Sequence, residues 1–172
     1  QTPLAINLLR EGRSTYMLSK IYGESMCYHS GLPITIVRPH NFYGPRMGVS
    51  HVIPELFKKV VEQKTKELQV FSVDHSRTFC FIEDAINMMS QLAISPNTVN
   101  EVYNVGNDDE EIKIGDLANK IINLTDKKIT VIPKPATKGS PSRRLPSIEK
   151  AKKAISYDKQ FSLDDGLEVT YN

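Results

Sequence analysis

The sequence predicts an α/β fold built around parallel strands, and three observations indicate that class. Helical and extended segments alternate along the chain, as they do in α/β proteins. The segment LPITIVRP carries a nearly continuous run of β-branched residues, which is typical of a strand buried on both faces of a parallel sheet. Segments rich in glycine, proline and asparagine, such as HNFYGPRMGVSH, separate the elements. We therefore expect the order helix, strand, helix, strand, strand, helix, strand, helix, strand, helix, helix.

Hydrophobic periodicity and terminal signals place the elements of the first half. Residues from Ser14 to about Ser30 form a helix, with Gly31 positioned to cap its C-terminus. After the strand in LPITIVRP, the amphipathic segment VIPELFKKVVEQ forms a helix with Pro54 in its first turn. ELQVFSV and RTFCFI are predicted strands. EDAINMMSQLAI is a predicted helix, because its acidic start suits the positive end of a helix dipole.

The second half continues the alternation. EVYNVGN and ITVIP are predicted strands, and IKIGDLANKIINLT between them is a predicted helix. KPATKGSPSRRLP is an open loop. SIEKAKKAI begins a helix with Ser147 at the N-cap, and SLDDGLEVTYN begins another with Ser162 as its cap.

Composition excludes several classes of function. The chain has 172 residues, 40% apolar and 24% charged, as in globular proteins, and a formal net charge of +2 is too small to predict binding to nucleic acid or membranes. No apolar run approaches the roughly 20 residues of a membrane span, and no signal-peptide pattern is present. Cys27 and Cys80 match no metal or redox spacing, so we expect small buried residues in a reducing cytoplasm. The four histidines form no zinc motif, so no metal site is expected.

One pair of residues suggests proton transfer. Tyr16 and Lys20 lie four apart on a predicted helix, so their side chains leave from the same face. An ammonium near a phenol favours the phenolate, which can take a proton from a hydroxyl and return it. The same spacing also occurs in ordinary exposed tyrosine and lysine pairs. The spacing alone therefore does not distinguish a catalytic pair from a surface pair, and the surrounding sequence is needed.

That surrounding sequence resembles the extended short-chain dehydrogenase/reductase family, in its nucleotide-sugar epimerase, dehydratase and decarboxylase branch. YMLSKIYGESMCYHSGLPITIVRPHNFYGPR is similar to the family's Y-x-x-S-K helix and R-P-x-N-x-Y-G-P-R segment. SRTFCFIEDAINMM, EVYNVGN and SRRLPSIEKAKKAISYDKQFSLDDGL resemble later family motifs in the same order. The matching residues of the first motif are Tyr16, Ser19, Lys20, Arg38, Pro39, Asn41, Tyr43, Gly44, Pro45 and Arg46.

The resemblance implies a fold and a domain division. It implies the C-terminal part of a Rossmann-like parallel sheet together with a smaller α/β substrate-binding domain. Residues 1–50 would be the remnant of the NAD-binding domain, and residues 51–172 would mainly form the nucleotide-sugar domain. Residues 77–106 would partly return to the Rossmann domain.

The resemblance also implies roles for individual residues. Tyr16 would transfer a proton at a sugar hydroxyl, and Lys20 would bind the nicotinamide ribose and tune Tyr16. The remaining cofactor-binding residues would be Pro39, His40, Asn41 and Phe42. The nucleotide sugar would be bound by Asn41, Arg46, Val52, Arg77, Arg143 and Arg144. For the late loop, Arg143 or Arg144 is expected on the diphosphate, since a guanidinium forms bidentate bonds to phosphate oxygens. A surface salt bridge is the alternative for each arginine.

Departures from the family pattern leave two hypotheses. Ser72 and His75 stand where glycines are expected, Ser147 stands where aspartate is common, and no glycine-rich dinucleotide turn occurs in the chain. The first hypothesis is a fragment of an NAD-dependent nucleotide-sugar enzyme, homodimeric as a whole and inactive as this chain alone. The second is a non-catalytic domain that binds sugar nucleotides or a partner without the cofactor half. RPHNFYGPRMG favours epimerases and decarboxylases over dehydratases, and the sequence identifies neither the sugar nor the base.

Overall fold

The computed structural model describes residues 14–172, so residues 1–13 of the predicted NAD-binding remnant lie outside the described residues. The described part contains helices at the predicted places. The α-helices are α1 (Ser14–Tyr28), α2 (Val52–Glu62), α3 (Ile82–Ile94), α4 (Ile114–Leu124), α5 (Glu149–Ala154) and α6 (Leu163–Tyr171). The strands are β1 (Thr35–Pro39), β2 (Phe42–Tyr43), β3 (Glu67–Phe71), β4 (Ser76–Arg77), β5 (Cys80–Phe81), β6 (Glu101–Val105), β7 (Ile112–Lys113), β8 (Thr130–Lys134) and β9 (Arg143–Arg144).

Strand pairing is mostly parallel, as the sequence predicts. β1 pairs with β6, β2 with β5 and β3 with β8, each in parallel. The short strand β4 pairs antiparallel with β7 on one side and parallel with β9 on the other. The three-stranded β7–β4–β9 unit brings the late loop of the chain beside the segment that precedes α3.

Two hydrophobic cores hold these pairs together. The larger core packs α2, α4 and α6 against β3, and its fully buried side chains include Ile53, Val60, Leu117, Ile121 and Leu167. The smaller core lies around β1 and β6. It is formed by α3, α5 and β6, through Met88, Leu92, Tyr103, Val105, Ile148 and Ala151. The predicted division at residue 50 stays a prediction.

Several local expectations were wrong. β1 is half-buried and then exposed instead of buried on both faces, because within residues 14–172 it pairs only with β6. RTFCFI breaks into β4 and β5, and the loop predicted after β8 contains β9. Ser147 does not cap α5, whose N-cap is Ile148 without a side-chain bond. Cys80 is buried as expected, but Cys27 is exposed on α1.

The C-terminal helix begins as predicted. Ser162 and Asp165 form a reciprocal capping box at the start of α6. The Tyr43 hydroxyl donates to the Leu163 carbonyl at 3.2 Å, and this bond attaches α6 to the end of β2. Within residues 14–172, no helix is both long and apolar enough to cross a membrane.

Candidate functional site

An open cleft of about 920 Å³ lies between α2, β4 and the late loop. Three segments form most of its wall: the start of α2 with the loop before it, residues 70–79, and residues 137–144. Five of the sequence-predicted site residues line it, namely Asn41, Phe42, Val52, Arg77 and Arg144. The structure therefore brings residues from three distant parts of the sequence to one surface.

Two arginines face each other in this wall. β4 and β9 run parallel with Arg77 directly opposite Arg144, so the two side chains lie on the same face of the small sheet. Arg143 precedes Arg144 and points to the other face. It donates from Nε and Nη2 to the Glu111 carboxylate at 2.7 and 2.8 Å. Arg144 lines the cleft, and Arg143 forms a surface ion pair with Glu111. Which of the two contacts a diphosphate stays a prediction.

Arg77 is buried and holds the late loop in place. Only 8% of the residue is exposed, and its Nη1 and Nη2 groups donate to carbonyl oxygens of Ser76, Pro141 and Ser142 and to the Ser140 hydroxyl. All of these acceptors are neutral, so no carboxylate compensates the charge. Burial, and then the charge of Arg144, lower the pKa of the Arg77 guanidinium. Two like charges opposite each other are unfavourable in a sheet unless an anion lies between them.

The loop after β1 connects the cleft to the β1–β6 pair. Asn41 has a left-handed backbone, with φ of +46°. Its Nδ2 donates to the Thr78 carbonyl at 2.9 Å, and its own carbonyl accepts from the Cys80 backbone at 3.1 Å. The His40 backbone donates to the Val105 carbonyl at 2.9 Å. Burial, followed by the charges of Arg144 and Arg38, lowers the pKa of His40.

Tyr16 and Lys20 are adjacent on α1, as predicted. The Lys20 ammonium lies 5.3 Å from the centre of the Tyr16 ring, and Tyr16 is 63% exposed. Glu24 on the same helix pairs with Arg38 of β1 at 2.8 and 2.6 Å, which joins α1 to the parallel strands. Neither Tyr16 nor Lys20 is among the cleft-lining residues.

Besides Tyr16, Lys20 and Arg143, three predicted site residues lie outside the cleft wall. Pro39 is exposed at the end of β1, and His40 is half-buried beside the β6 end. Arg46 is exposed, with a left-handed φ of +63°. Their assignments as cofactor or substrate ligands stay predictions.

Sequence reasoning did not identify three cleft residues. Phe71, at the end of β3, exposes half of its surface, and Lys138 lies in what was predicted to be an open loop. His75 is buried, and its Nδ1 atom has no hydrogen-bond partner. The one sequence feature that pointed to this part of the cleft was the presence of Ser72 and His75 where the family pattern has glycines. Without glycine, the turn forms with Ser72 at a left-handed φ of +57°, closed by a bond from the His75 backbone to the Ser72 carbonyl.

The polar groups suit an anionic organic ligand. Among residues 14–172, no three His, Cys, Asp or Glu side chains cluster closely enough to hold a metal ion. The cleft instead offers guanidinium groups, an aromatic ring and amide and hydroxyl groups, which together can bind phosphate and a flat base.

A family profile and two curated relatives all describe enzymes that are similar to this chain. Residues 5–106 match the profile of the NAD dependent epimerase/dehydratase family. The chain is 30% identical over 165 residues to an uncharacterised UDP-glucose epimerase of Bacillus subtilis (YtcB), covering 92% of this chain and 51% of that protein. It is 30% identical over 173 residues to the UDP-N-acetyl-α-D-glucosaminuronate decarboxylase of Bacillus cytotoxicus, covering 92% and 52%. The chain thus spans about half the length of these curated relatives.

A solved structure shares the fold. The UDP-glucuronic acid 4-epimerase of Bacillus cereus, in complex with UDP-glucuronic acid and NAD, superposes with a TM-score of 0.81 at 29% identity. The match covers 99% of this chain and 55% of the epimerase. The predicted α/β class with a Rossmann-like parallel sheet is confirmed.

Proposed function

Because the chain belongs to the NAD dependent epimerase/dehydratase family, we propose that it is the nucleotide-sugar half of an NAD-dependent sugar-modifying enzyme. The substrate is a nucleoside diphosphate sugar, and the relatives that act on UDP-sugars favour uridine as the nucleoside. The whole enzyme works through a 4-keto sugar, as a 4-epimerase or as a decarboxylase similar to those that act on UDP-glucuronate. By itself the chain is inactive. The homodimeric state of the whole enzyme and its cytoplasmic location stay predictions.

The observation that carries this proposal is the pair of facing arginines in the cleft. Arg77 and Arg144 lie opposite each other in register, and residues 14–172 offer neither of them a carboxylate. A diphosphate bound beside this pair would relieve the like-charge repulsion and accept charge-assisted hydrogen bonds from Arg144. In this arrangement the exposed Arg144 guanidinium contacts the ligand, while the buried Arg77 guanidinium contributes positive charge near it. Phe71 offers a half-exposed ring on which a base can stack.

The residues on α1 fit the nicotinamide part of NAD. Lys20 has no acidic partner among the described residues, so its ammonium can donate to ribose hydroxyls beside the Tyr16 ring. A Cβ at Gly106 would come within 3.0 Å of the His40 Cβ, so the ends of β1 and β6 approach each other closely. A flat cofactor ring bound at these strand ends would contact backbone atoms. NAD, when bound, would supply hydride transfer.

Tyr16 then serves as the acid and base for the sugar hydroxyl. Its phenolate takes the hydroxyl proton as the alcohol becomes a ketone, and the phenol returns it in the reverse step. The Lys20 ammonium lies beside Tyr16, 5.3 Å from the centre of its ring. The ketone acidifies the neighbouring C–H bonds and can accept electrons during loss of a carboxyl group, which is why one oxidation step serves both epimerisation and decarboxylation.

A second function is favoured by one feature of the cleft. Its walls come from residues 41–144 of this chain alone, so the cleft is formed without the cofactor half. A non-catalytic domain that binds sugar nucleotides would need only this part.

Two experiments test these proposals. Titration calorimetry of this chain with UDP-sugars, with and without NAD, should show nucleotide-sugar binding, and failure to bind UDP- or dTDP-sugars would refute the assignment of the cleft. Turnover by the complete enzyme should fall by at least about a hundredfold in Tyr16→Phe, while a conservative Tyr22→Phe on the exposed face of α1 should leave it unchanged. Binding without any turnover in the complete protein would favour the non-catalytic alternative.

A further inference from the structure

We propose that Lys138 is a specificity-determining residue of the cleft, contacting the phosphates as a third cation beside Arg77 and Arg144. This inference rests on the proposed nucleotide-sugar function of the cleft. It adds that the site distinguishes a ligand with two phosphate groups from one with a single phosphate or none. Lys138 lies in the segment that the sequence alone predicts to be an open loop.

The structure shows that the loop around Lys138 is anchored at both ends. A turn spans residues 137–140, closed by a bond from the Ser140 backbone to the Thr137 carbonyl at 3.1 Å. Gly139, with φ of +78°, supplies the left-handed conformation that this turn needs. On one side the Thr137 backbone donates to the Ser72 hydroxyl at 2.9 Å, and on the other Arg77 donates to the Ser140 hydroxyl at 3.1 Å.

This anchoring places a cation at a defined position. Lys138 lies between two residues that are hydrogen-bonded to Ser72 and Arg77, and it is an exposed residue of the cleft lining. The entropic cost of fixing a loop lysine on a ligand is therefore reduced to its own side-chain torsions. The buried Arg77 guanidinium, which holds the far end of the turn, couples the position of Lys138 to that of the arginine pair.

The charge balance of the cleft singles out Lys138 among its lysines. Lys59 also lines the cleft, but Glu55 on the same helix neutralises it at 2.5 Å. No carboxylate among the described residues pairs with Lys138. Three cations without a carboxylate partner therefore share the cleft, and this arrangement suits an anionic ligand with two linked phosphate groups.

The test compares Lys138→Gln with Lys59→Gln in this chain, using calorimetry with UDP, UMP and uridine as ligands. Lys138→Gln should weaken UDP binding by about three- to tenfold, UMP binding by less and uridine binding not at all. It should also make UDP binding less dependent on salt. Lys59→Gln should change each affinity by less than about twofold, and Lys138→Arg should restore UDP binding.

The outcomes separate this inference from the function on which it rests. If the unmodified chain binds no uridine nucleotide, the assignment of the cleft itself is wrong. If it binds UDP and Lys138→Gln does not weaken that binding, the inference about Lys138 alone is wrong. Equal weakening of UDP and uridine would also overturn it, because Lys138 would then shape the wall instead of contacting phosphate. Thermal melting of each variant confirms that the fold is retained.

Discussion

The facing arginines lead to a prediction in which ligand affinity and stability change in opposite directions. Replacing Arg144 by Gln removes the accessible cation of the pair and keeps a side chain of similar length. In the free chain, burial and the charge of Arg144 both disfavour the charged form of Arg77. The change removes that like charge from the position opposite Arg77. In the complex, the same change removes a charge-assisted hydrogen bond to phosphate.

The magnitudes follow from the surroundings of the two side chains. A hydrogen bond to a charged group is worth about 1.5–3 kcal/mol, and because Arg144 is exposed the lower end applies, so UDP affinity should fall about tenfold. Removing a like-charge cross-strand pair should raise the stability of the free chain by a few tenths of a kcal/mol, up to about 1.

The assay combines calorimetry with UDP and urea unfolding of the free chain. Arg143→Gln is the matched control. The Arg143 side chain is next to Arg144 in the sequence, but it points to the other face of the sheet and pairs with Glu111. This control should leave UDP affinity unchanged and should not stabilise the chain. An Arg144→Gln variant that binds UDP as tightly as the unmodified chain would refute the two-arginine site. A loss of affinity in Arg143→Gln equal to that in Arg144→Gln would refute the assignment by strand face.

Three further predictions concern stability. Gly166→Ala should lower the free energy of unfolding by about 2 kcal/mol in a urea titration, because the added Cβ would come within 2.8 Å of the Tyr43 Cζ. Ser162→Ala should lower it by about 1 kcal/mol, since the capping box of α6 is lost. Stability should fall as the pH drops below about 6.5. Burial and Arg144 hold the pKa of His40 below its ordinary value, so the unfolded chain takes up the proton first.

Each of these predictions has a control. Gly23→Ala, in α1 where an added Cβ meets nothing within 4 Å, should be neutral or stabilising. Equal destabilisation at both glycines would show that Tyr43 is not the cause. Ser19→Ala, which lies within a helix and caps nothing, should cost less than Ser162→Ala. His40→Gln should flatten the loss of stability between pH 8 and pH 5, and an unchanged slope would assign that loss to other groups.

Local sequence was sufficient for features that depend on a few neighbouring residues. The adjacency of Tyr16 and Lys20 follows from helical periodicity alone, and the cap at Ser162 follows from the next three residues. The predictions of burial failed where burial depends on contacts with elements distant in the sequence. The burial of β1 depends on how many strands pair with it, and the exposure of Cys27 depends on what packs against α1.

By itself, the sequence determined the α/β class, most of the helices and strands, and the family, because periodicity, capping and motif spacing are properties of short segments. Only the tertiary structure decided that Arg144 faces Arg77 while Arg143 turns away, and that the loop carrying Lys138 is anchored at two points. These facts depend on the register between β4 and β9, two strands far apart along the chain. A shift of one residue in that register would exchange the two arginines between the faces of the sheet, and no local pattern in the sequence specifies it.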